Sequence, residues 1–160
     1  MNSTGLIVAA AVLVLGVAAG LWHRRADGRL RGTRPIGGLP EPTTSEQATG
    51  PATEGAALDG ALLDGLGVGP AAATLLQFSS AACAPCRALR RLSAEVAEQL
   101  PGVRHVDVDA ESHLDAVRAL GIWRTPTLLV LDADGRIVRR ATGVPAKPDL
   151  LAAVEPLLPR

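Results

Sequence analysis

The two cysteines of this chain, Cys83 and Cys86, stand three residues apart between an apolar run and an amphipathic stretch. The preceding residues, Thr74-Leu75-Leu76-Gln77-Phe78, have the character of a buried strand. After the pair, apolar residues recur at helical spacing with charged residues between them, at Leu89, Leu92, Val96 and Leu100. The chain therefore places its cysteines where a strand ends and a helix begins.

A cysteine at a helix start is predisposed to react. The free backbone N–H groups and the helix dipole favour a negative charge there, so the thiolate of Cys83 is stabilised relative to its thiol. Cys86 lies one turn further along, on the same side and within reach of Cys83. The sequence thus predicts a reactive dithiol at this junction.

Two other uses of the pair remain open. A purely structural disulfide would close a four-residue loop, which constrains the unfolded chain by only about 2 kcal/mol, against about 3 kcal/mol for fifteen residues. Zinc would need two further ligands, and His105 and His113 lack the short spacing of zinc sites. We therefore favour redox chemistry and predict no metal site.

The N-terminal segment predicts a membrane anchor. Residues 5–22 carry no charge, and as a helix they would span about 27 Å, close to the ~30 Å hydrocarbon core of a bilayer. We predict that residues 1–32 form one transmembrane helix with a basic flank. A cleaved signal peptide is the alternative, since Ala18-Ala19-Gly20 resembles a cleavage site, but residues 1–4 lack the usual basic side chain.

The net charge of the chain is zero, but its basic and acidic residues are unevenly distributed along the sequence. Residues 1–32 hold four of the 16 basic side chains and one of the 16 acidic ones. Because the four arginines directly follow the apolar segment, the positive-inside rule predicts a single-pass protein of the cell membrane whose domain is cytoplasmic. An extracytoplasmic domain is the alternative. The mildly acidic remainder contains no basic run, so we expect no nucleic-acid binding.

The rest of the chain divides into a linker and a domain. Residues 33–56 include four prolines and four glycines, which predicts a disordered linker with a reach of about 27 Å. We predict that residues 57–160 form a domain. Its predicted helices cover 57–68, 83–100 and 111–120, and its predicted strands cover 73–79, 103–109, 127–131 and 136–141. A terminal helix is predicted from Pro148, with a kink at Pro156. This order predicts an α/β fold with a central mixed sheet flanked by helices.

Over residues 57–158 these features together resemble the thioredoxin superfamily. The resemblance rests on Cys83-Ala84-Pro85-Cys86 after a strand, Thr125-Pro126-Thr127 about forty residues later, the Asp134-Gly135 turn, and Gly143 before a terminal helix. It implies a thioredoxin-like fold. The anchored architecture is similar to that of membrane-tethered thioredoxin-like proteins of bacteria.

The resemblance implies a role for each matching residue. Cys83 would attack a substrate disulfide, and Cys86 would resolve the mixed disulfide. Pro126 would be a cis-proline facing the pair, with the backbone of Thr125 pairing to an extended substrate segment. Further substrate contacts would come from the borders of the groove, Trp123 and Gly143.

Three positions depart from the family pattern. Ala82 stands where a tryptophan usually precedes the first cysteine, Gln77 replaces a buried acid, and His105 replaces the lysine that pairs with that acid. Losing both members of a pair avoids an unpaired buried charge.

The sequence therefore predicts a membrane-tethered thiol–disulfide oxidoreductase. Its substrates would be disulfides or dithiols of protein partners, it would need an electron donor, and its only redox group would be the Cys83–Cys86 disulfide. The alternative is a binding or scaffolding module with an idle dithiol.

Overall fold

The computed structural model describes residues 12–17 and 52–159. The second range contains four strands and four α-helices. The elements are, in chain order, α1 (Gly60–Gly65), β1 (Ala73–Ser79), α2 (Ala84–Gln99), β2 (Val103–Asp109), α3 (Leu114–Ala119), β3 (Thr127–Asp132), β4 (Ile137–Thr142) and α4 (Lys147–Val154), followed by a 3-10 turn (Glu155–Leu157). This order confirms the predicted α/β class.

The strands form one mixed sheet in the order β2-β1-β3-β4. β1 and β2 are parallel because α2 carries the chain back across the sheet, whereas β3 is antiparallel to both β1 and β4. β1 is thus a central strand, and all seven of its residues are buried. The carboxyl end of β1 leads directly into the two cysteines.

Apolar side chains cover both faces of the sheet, which explains why the strands read as apolar runs. One face packs against α2 and α4 through a core that includes Leu75, Leu89, Val96, Val130, Leu150 and Val154. The other packs against α1 and α3 through a core that includes Leu76, Phe78, Leu120, Leu129, Leu131 and Ile137. Helices on both faces hold β1, and with it the cysteine loop, in a fixed place.

Three helices are shorter than predicted. α1 begins only at Gly60, because the side chain of Asp59 accepts a hydrogen bond from the backbone N–H of Ala61 (2.8 Å) and sets the first turn there. α3 begins at Leu114 rather than at 111, after a turn in which Asp109 accepts hydrogen bonds from Glu111 and Ser112. The α-helical part of the terminal helix ends at Val154, and Pro156 lies in the 3-10 turn that follows.

The N-terminal predictions lie largely outside the described residues. Residues 12–17 are helical and exposed, and the remainder of the predicted span and most of the predicted linker are among the residues that the structure leaves undescribed. Among residues 12–17 and 52–159, no helix is both long enough and apolar enough to cross a membrane. Residues 52–58 contact the domain, where Gly55 N–H donates to the Ile137 carbonyl (2.7 Å) and Ala57 forms a bridge with Arg136.

Candidate functional site

The two cysteines form a disulfide at the first turn of α2. Cys83 is the residue that caps the helix, and its Sγ accepts a hydrogen bond from the backbone N–H of Cys86 (3.0 Å). The Cα atoms of the pair are 5.2 Å apart, within the usual range for a disulfide. Pro85 lies in the first helical turn, where its missing N–H costs nothing. The local sequence thus points the backbone N–H of Cys86 at the sulfur of Cys83.

The two sulfur-bearing residues differ in exposure. Cys83 is partly exposed, whereas Cys86 is only 1% exposed. A substrate sulfur can therefore approach Cys83 and not Cys86. This asymmetry suits one cysteine to attack and the other to resolve, as the family resemblance implies.

A second loop, before β3, lies against the cysteine loop. The Thr125–Pro126 peptide bond is cis. The hydroxyl of Thr125 is 3.0 Å from that of Ser80, which ties the loop to the residues just before Cys83. Gly143 donates its N–H to the carbonyl of Pro126 (2.8 Å) and has a φ of 87°, a conformation that favours glycine. The structure therefore brings Thr125, Pro126 and Gly143 together, with Thr125 in contact with the loop that leads to Cys83.

Trp123 differs from these residues in being almost fully exposed. Its side chain is 91% exposed, the largest exposed fraction among the exposed large apolar side chains of the described residues. A large apolar side chain left in water is costly unless something covers it, and this one directly precedes the loop of Thr125 and Pro126. The position suits a contact with a partner, and packing within the domain does not account for it.

A cleft of about 400 Å³ is lined in part by Cys83. Its wall carries side chains of both signs, contributed by Arg87, Arg90, Asp107, Asp109 and Glu111, together with Ser79, Ser80, Ala81 and Cys83. None of the four residues predicted to bind substrate lines it. Cys83 therefore lines a charged cleft, and the loop that contains Thr125 and Pro126 contacts the residues just before it.

Two buried polar side chains next to Cys86, Gln77 and Ser79, connect to the exposed carboxylate of Asp107. Gln77, fully buried in β1, donates from Nε2 to the hydroxyl of Ser79 (2.7 Å) and to the carbonyl of Cys86 (3.0 Å). The hydroxyl of Ser79 donates in turn to Asp107 on β2 (2.5 Å), and Asp107 pairs with Arg90 on α2. The sequence predictions missed Ser79 and Asp107, although the order of elements and the parallel pairing of β1 with β2 place Gln77 opposite Asp107.

His105 lies on β2 opposite Leu75, two residues from Asp107. Burial lowers the pKa of His105; the nearby carboxylate of Asp107 opposes this shift, and the positive charge of Arg90 adds to it. Its Nε2 is buried with no hydrogen-bond partner among the described residues. These surroundings favour a neutral imidazole.

Within residues 12–17 and 52–159, no group of three or more His, Cys, Asp or Glu side chains is arranged to hold a metal ion. Cys83 and Cys86 are bonded to each other, and the ring of His113 lies 3.0 Å from the carbonyl of Asp109.

Comparisons with known proteins point to one family. The family model described as Thioredoxin matches residues 68–156, more than half of the chain. Among solved structures, a mutant thioredoxin from Halobacterium salinarum is 23% identical with a TM-score of 0.54, covering 65% of this chain and 89% of its own. The Schistosoma mansoni thioredoxin pre-protein is 20% identical with a TM-score of 0.52, covering 62% and 92%.

Chloroplastic thioredoxin z is likewise similar, with 21% identity and a TM-score of 0.52 over 66% of this chain and 96% of its own. A search of curated proteins found no match. At these identities the structural likeness concerns the fold.

Proposed function

Because this chain belongs to the thioredoxin family, it is a thiol–disulfide oxidoreductase, and we propose that it reduces disulfides in protein partners while tethered to the cell membrane. The observation that carries the proposal is the geometry at the start of α2. There a partly exposed Cys83 accepts the N–H of Cys86 and is bonded to a buried cysteine.

The proposed reaction has two exchange steps. The thiolate of Cys83 attacks one sulfur of the substrate disulfide, forms a mixed disulfide and releases the first substrate thiolate, which takes up a proton. Cys86 then loses its proton, attacks Cys83 and releases the second substrate thiol. Two electrons pass to the substrate, and the Cys83–Cys86 disulfide remains for a cellular dithiol to reduce. No further redox group takes part.

The second loop supplies the proposed substrate site. An extended substrate segment would pair with the backbone of Thr125 beside Pro126, and the ordering of that loop by Ser80 and Gly143 supports this assignment. Trp123 would cover an apolar part of the partner at the edge of the same groove.

We place the domain on the cytoplasmic side of the membrane, held by the predicted anchor at residues 1–32 and the linker at 33–56. The four arginines that follow the apolar segment support this orientation. In the cytosol the surrounding pool keeps thiols reduced, which favours reduction of the substrate. The electron donor would then be a dithiol of that pool. On the opposite side, the domain would need a dedicated donor or would act as an oxidant.

The test is reduction of insulin by the purified domain with dithiothreitol as electron donor, comparing the wild type with Cys83→Ser and Cys86→Ser. We expect turnover in the wild type, none in Cys83→Ser, and trapped mixed disulfides with Cys86→Ser. Turnover retained in Cys83→Ser would refute the assignment of the attacking cysteine. A wild type that binds partners without turnover would favour the alternative, a binding module with an idle dithiol.

A further inference from the structure

Five of the side chains that line the cleft beside Cys83 are charged, and three of the five have partners within the domain. Arg90 and Asp107 form an ion pair. Asp109 accepts a hydrogen bond from the hydroxyl of Ser112, which lowers the pKa of the Asp109 carboxyl and keeps that group ionised. These three side chains are therefore already engaged in contacts that hold the cleft together.

The other two charged side chains, those of Arg87 and Glu111, are exposed and form no ion pair with any described residue. Arg87 lies on α2 four residues after Cys83, a spacing that places the two side chains on the same side of the helix. Glu111 lies in the turn that follows β2. Two separate elements therefore present one guanidinium and one carboxylate to the cleft that contains the proposed attacking sulfur.

The size of the cleft favours a small ligand. Its volume of about 400 Å³ lies within the range of about 300–1,000 Å³ that is typical of sites for single small molecules. A ligand whose disulfide reaches Cys83 must carry its charged groups close to its sulfur atoms in order to meet Arg87 and Glu111. The disulfide of an α-amino acid such as cystine meets this requirement, because only two carbon atoms separate each sulfur from an ammonium group and a carboxylate.

We propose that this cleft is a second substrate subsite, in which Arg87 binds the carboxylate and Glu111 binds the ammonium group of a small α-amino acid disulfide such as cystine. This inference extends the proposed function to a second class of substrate and rests on it. The protein substrate would use the loop of Thr125 and Pro126, neither of which lines the cleft.

The reaction at this subsite has the same two exchange steps. The thiolate of Cys83 attacks one sulfur of cystine, the S–S bond of cystine breaks, and one cysteine leaves as a thiolate that takes up a proton. Cys86 then loses its proton to solvent and attacks Cys83, which releases the second cysteine and forms the protein disulfide. Two electrons pass from the protein to cystine, and a cellular dithiol restores them.

The test uses the full-length protein, purified in detergent, reduced and freed of dithiothreitol. It is mixed with an excess of cystine, of cystamine, which has ammonium groups only, of dithiodipropionate, which has carboxylates only, or of neutral hydroxyethyl disulfide. Maleimide trapping and mass spectrometry follow the loss of free thiols. Each rate constant is divided by that of mercaptoethanol with the same disulfide and then by the corresponding value for the neutral disulfide. The resulting selectivity is independent of any change in the general reactivity of Cys83.

We expect the wild type to select cystine over the neutral disulfide about fivefold. Arg87→Gln should lower the selectivity for cystine and dithiodipropionate about threefold, and not that for cystamine. Glu111→Gln should lower the selectivity for cystine and cystamine about threefold, and not that for dithiodipropionate. Effects of this size are those of ion pairs that remain partly exposed to water. Arg91→Gln and Glu98→Gln are the matched controls and should change nothing, because both residues are exposed on α2 and do not line the cleft.

A wild-type selectivity near one for cystine would refute the subsite. Equal losses in Arg87→Gln and Arg91→Gln would also refute it, since the overall charge of the helix would then explain the preference. These outcomes are distinct from failure of the proposed function. A protein that reduces neither insulin nor any of the four disulfides would refute the proposed function, whereas normal insulin reduction without selectivity for cystine would refute the subsite alone.

Discussion

At the scale of single residues, an amide in place of the family's charged group changes what surrounds Cys86, the proposed resolving cysteine. Gln77 occupies the position where the family usually has a buried acid, and it is fully buried. The carboxylate nearest to this position in the hydrogen-bonded chain is that of Asp107, which lies on the neighbouring strand β2 and is paired with Arg90. The negative charge is therefore kept outside the apolar interior, which avoids the desolvation cost of a buried ion without a partner.

We expect the side chain of Trp123 to contribute to the binding of protein substrates and not of small disulfides. We expect Trp123→Ala to raise the KM for a protein disulfide several-fold, because an exposed tryptophan that a partner covers contributes strongly to binding. The rate with a small disulfide such as oxidised glutathione should be unchanged. Leu114→Ala, which truncates another exposed apolar side chain, is the matched control and should alter neither value. Equal losses with both substrates would contradict a role in partner binding.

His105 should make stability depend on pH. Its pKa is lowered in the folded protein, chiefly by burial, so below the ordinary value near 6.5 the unfolded chain binds the proton more readily than the folded one. The free energy of unfolding should be highest above that pH and decrease as the pH falls through it. Urea titrations at about pH 7.5 and 5.5 measure the difference. It should shrink in His105→Gln, and an unchanged difference would assign the effect to other groups.

At the scale of elements, Arg140 is one of the residues that join the segment before α1 to the rest of the domain. Arg140 on β4 donates to the carbonyls of Leu120 (2.8 Å) and Gly121 (2.6 Å), which follow α3. Its backbone N–H donates to the carboxylate of Glu54 (3.0 Å). Burial lowers the pKa of Arg140, and Glu54 opposes this shift. Helix α3, strand β4 and residues 52–56 therefore meet at Arg140, whose guanidinium also donates to the carbonyl of Ala52 (3.4 Å).

Removing that guanidinium should loosen all three elements. We expect Arg140→Met to lower the free energy of unfolding by about 2 kcal/mol, because it leaves two carbonyls without their donors. Arg139→Met is the matched control, since Arg139 is exposed and its side chain bonds only the adjacent Val138 carbonyl, so little change is expected. Urea denaturation measures both, and equal losses in the two variants would show that the contacts of Arg140 contribute nothing specific.

The sequence predicted helices and strands correctly where a single segment contained all the residues that determine them. The apolar run of β1, the cysteine spacing and the amphipathic pattern of α2 all lie within residues 73–100, so the strand–dithiol–helix unit follows from local chemistry. Helix ends were less predictable, because the Asp59 cap decides where α1 begins. The Gln77–Ser79–Asp107 chain depends on the register between two strands that α2 separates, and no local pattern fixes that register.

At the scale of the whole molecule, the proposed anchor determines which thiols the domain can reach. Residues 52–56 of the predicted linker are hydrogen-bonded to the domain, so residues 33–51 would set its root-mean-square distance from the bilayer, about 24 Å for a flexible coil. Its partners would then be membrane proteins or proteins delivered to the membrane surface. Such confinement raises the effective concentration of those partners without any new contact.

The decisive prediction for the whole molecule concerns the side of the membrane on which the dithiol lies. Because the arginines after the apolar segment favour the cytoplasmic side, we expect a membrane-impermeant thiol reagent, added to intact cells after mild reduction, to label Cys83 and Cys86 only after lysis. A version without residues 1–32 is the control and should move from the membrane fraction to the supernatant. Labelling of intact cells would place the domain outside, where no cytosolic thiol pool drives reduction, so the same chemistry would need a dedicated electron donor or would run as oxidation.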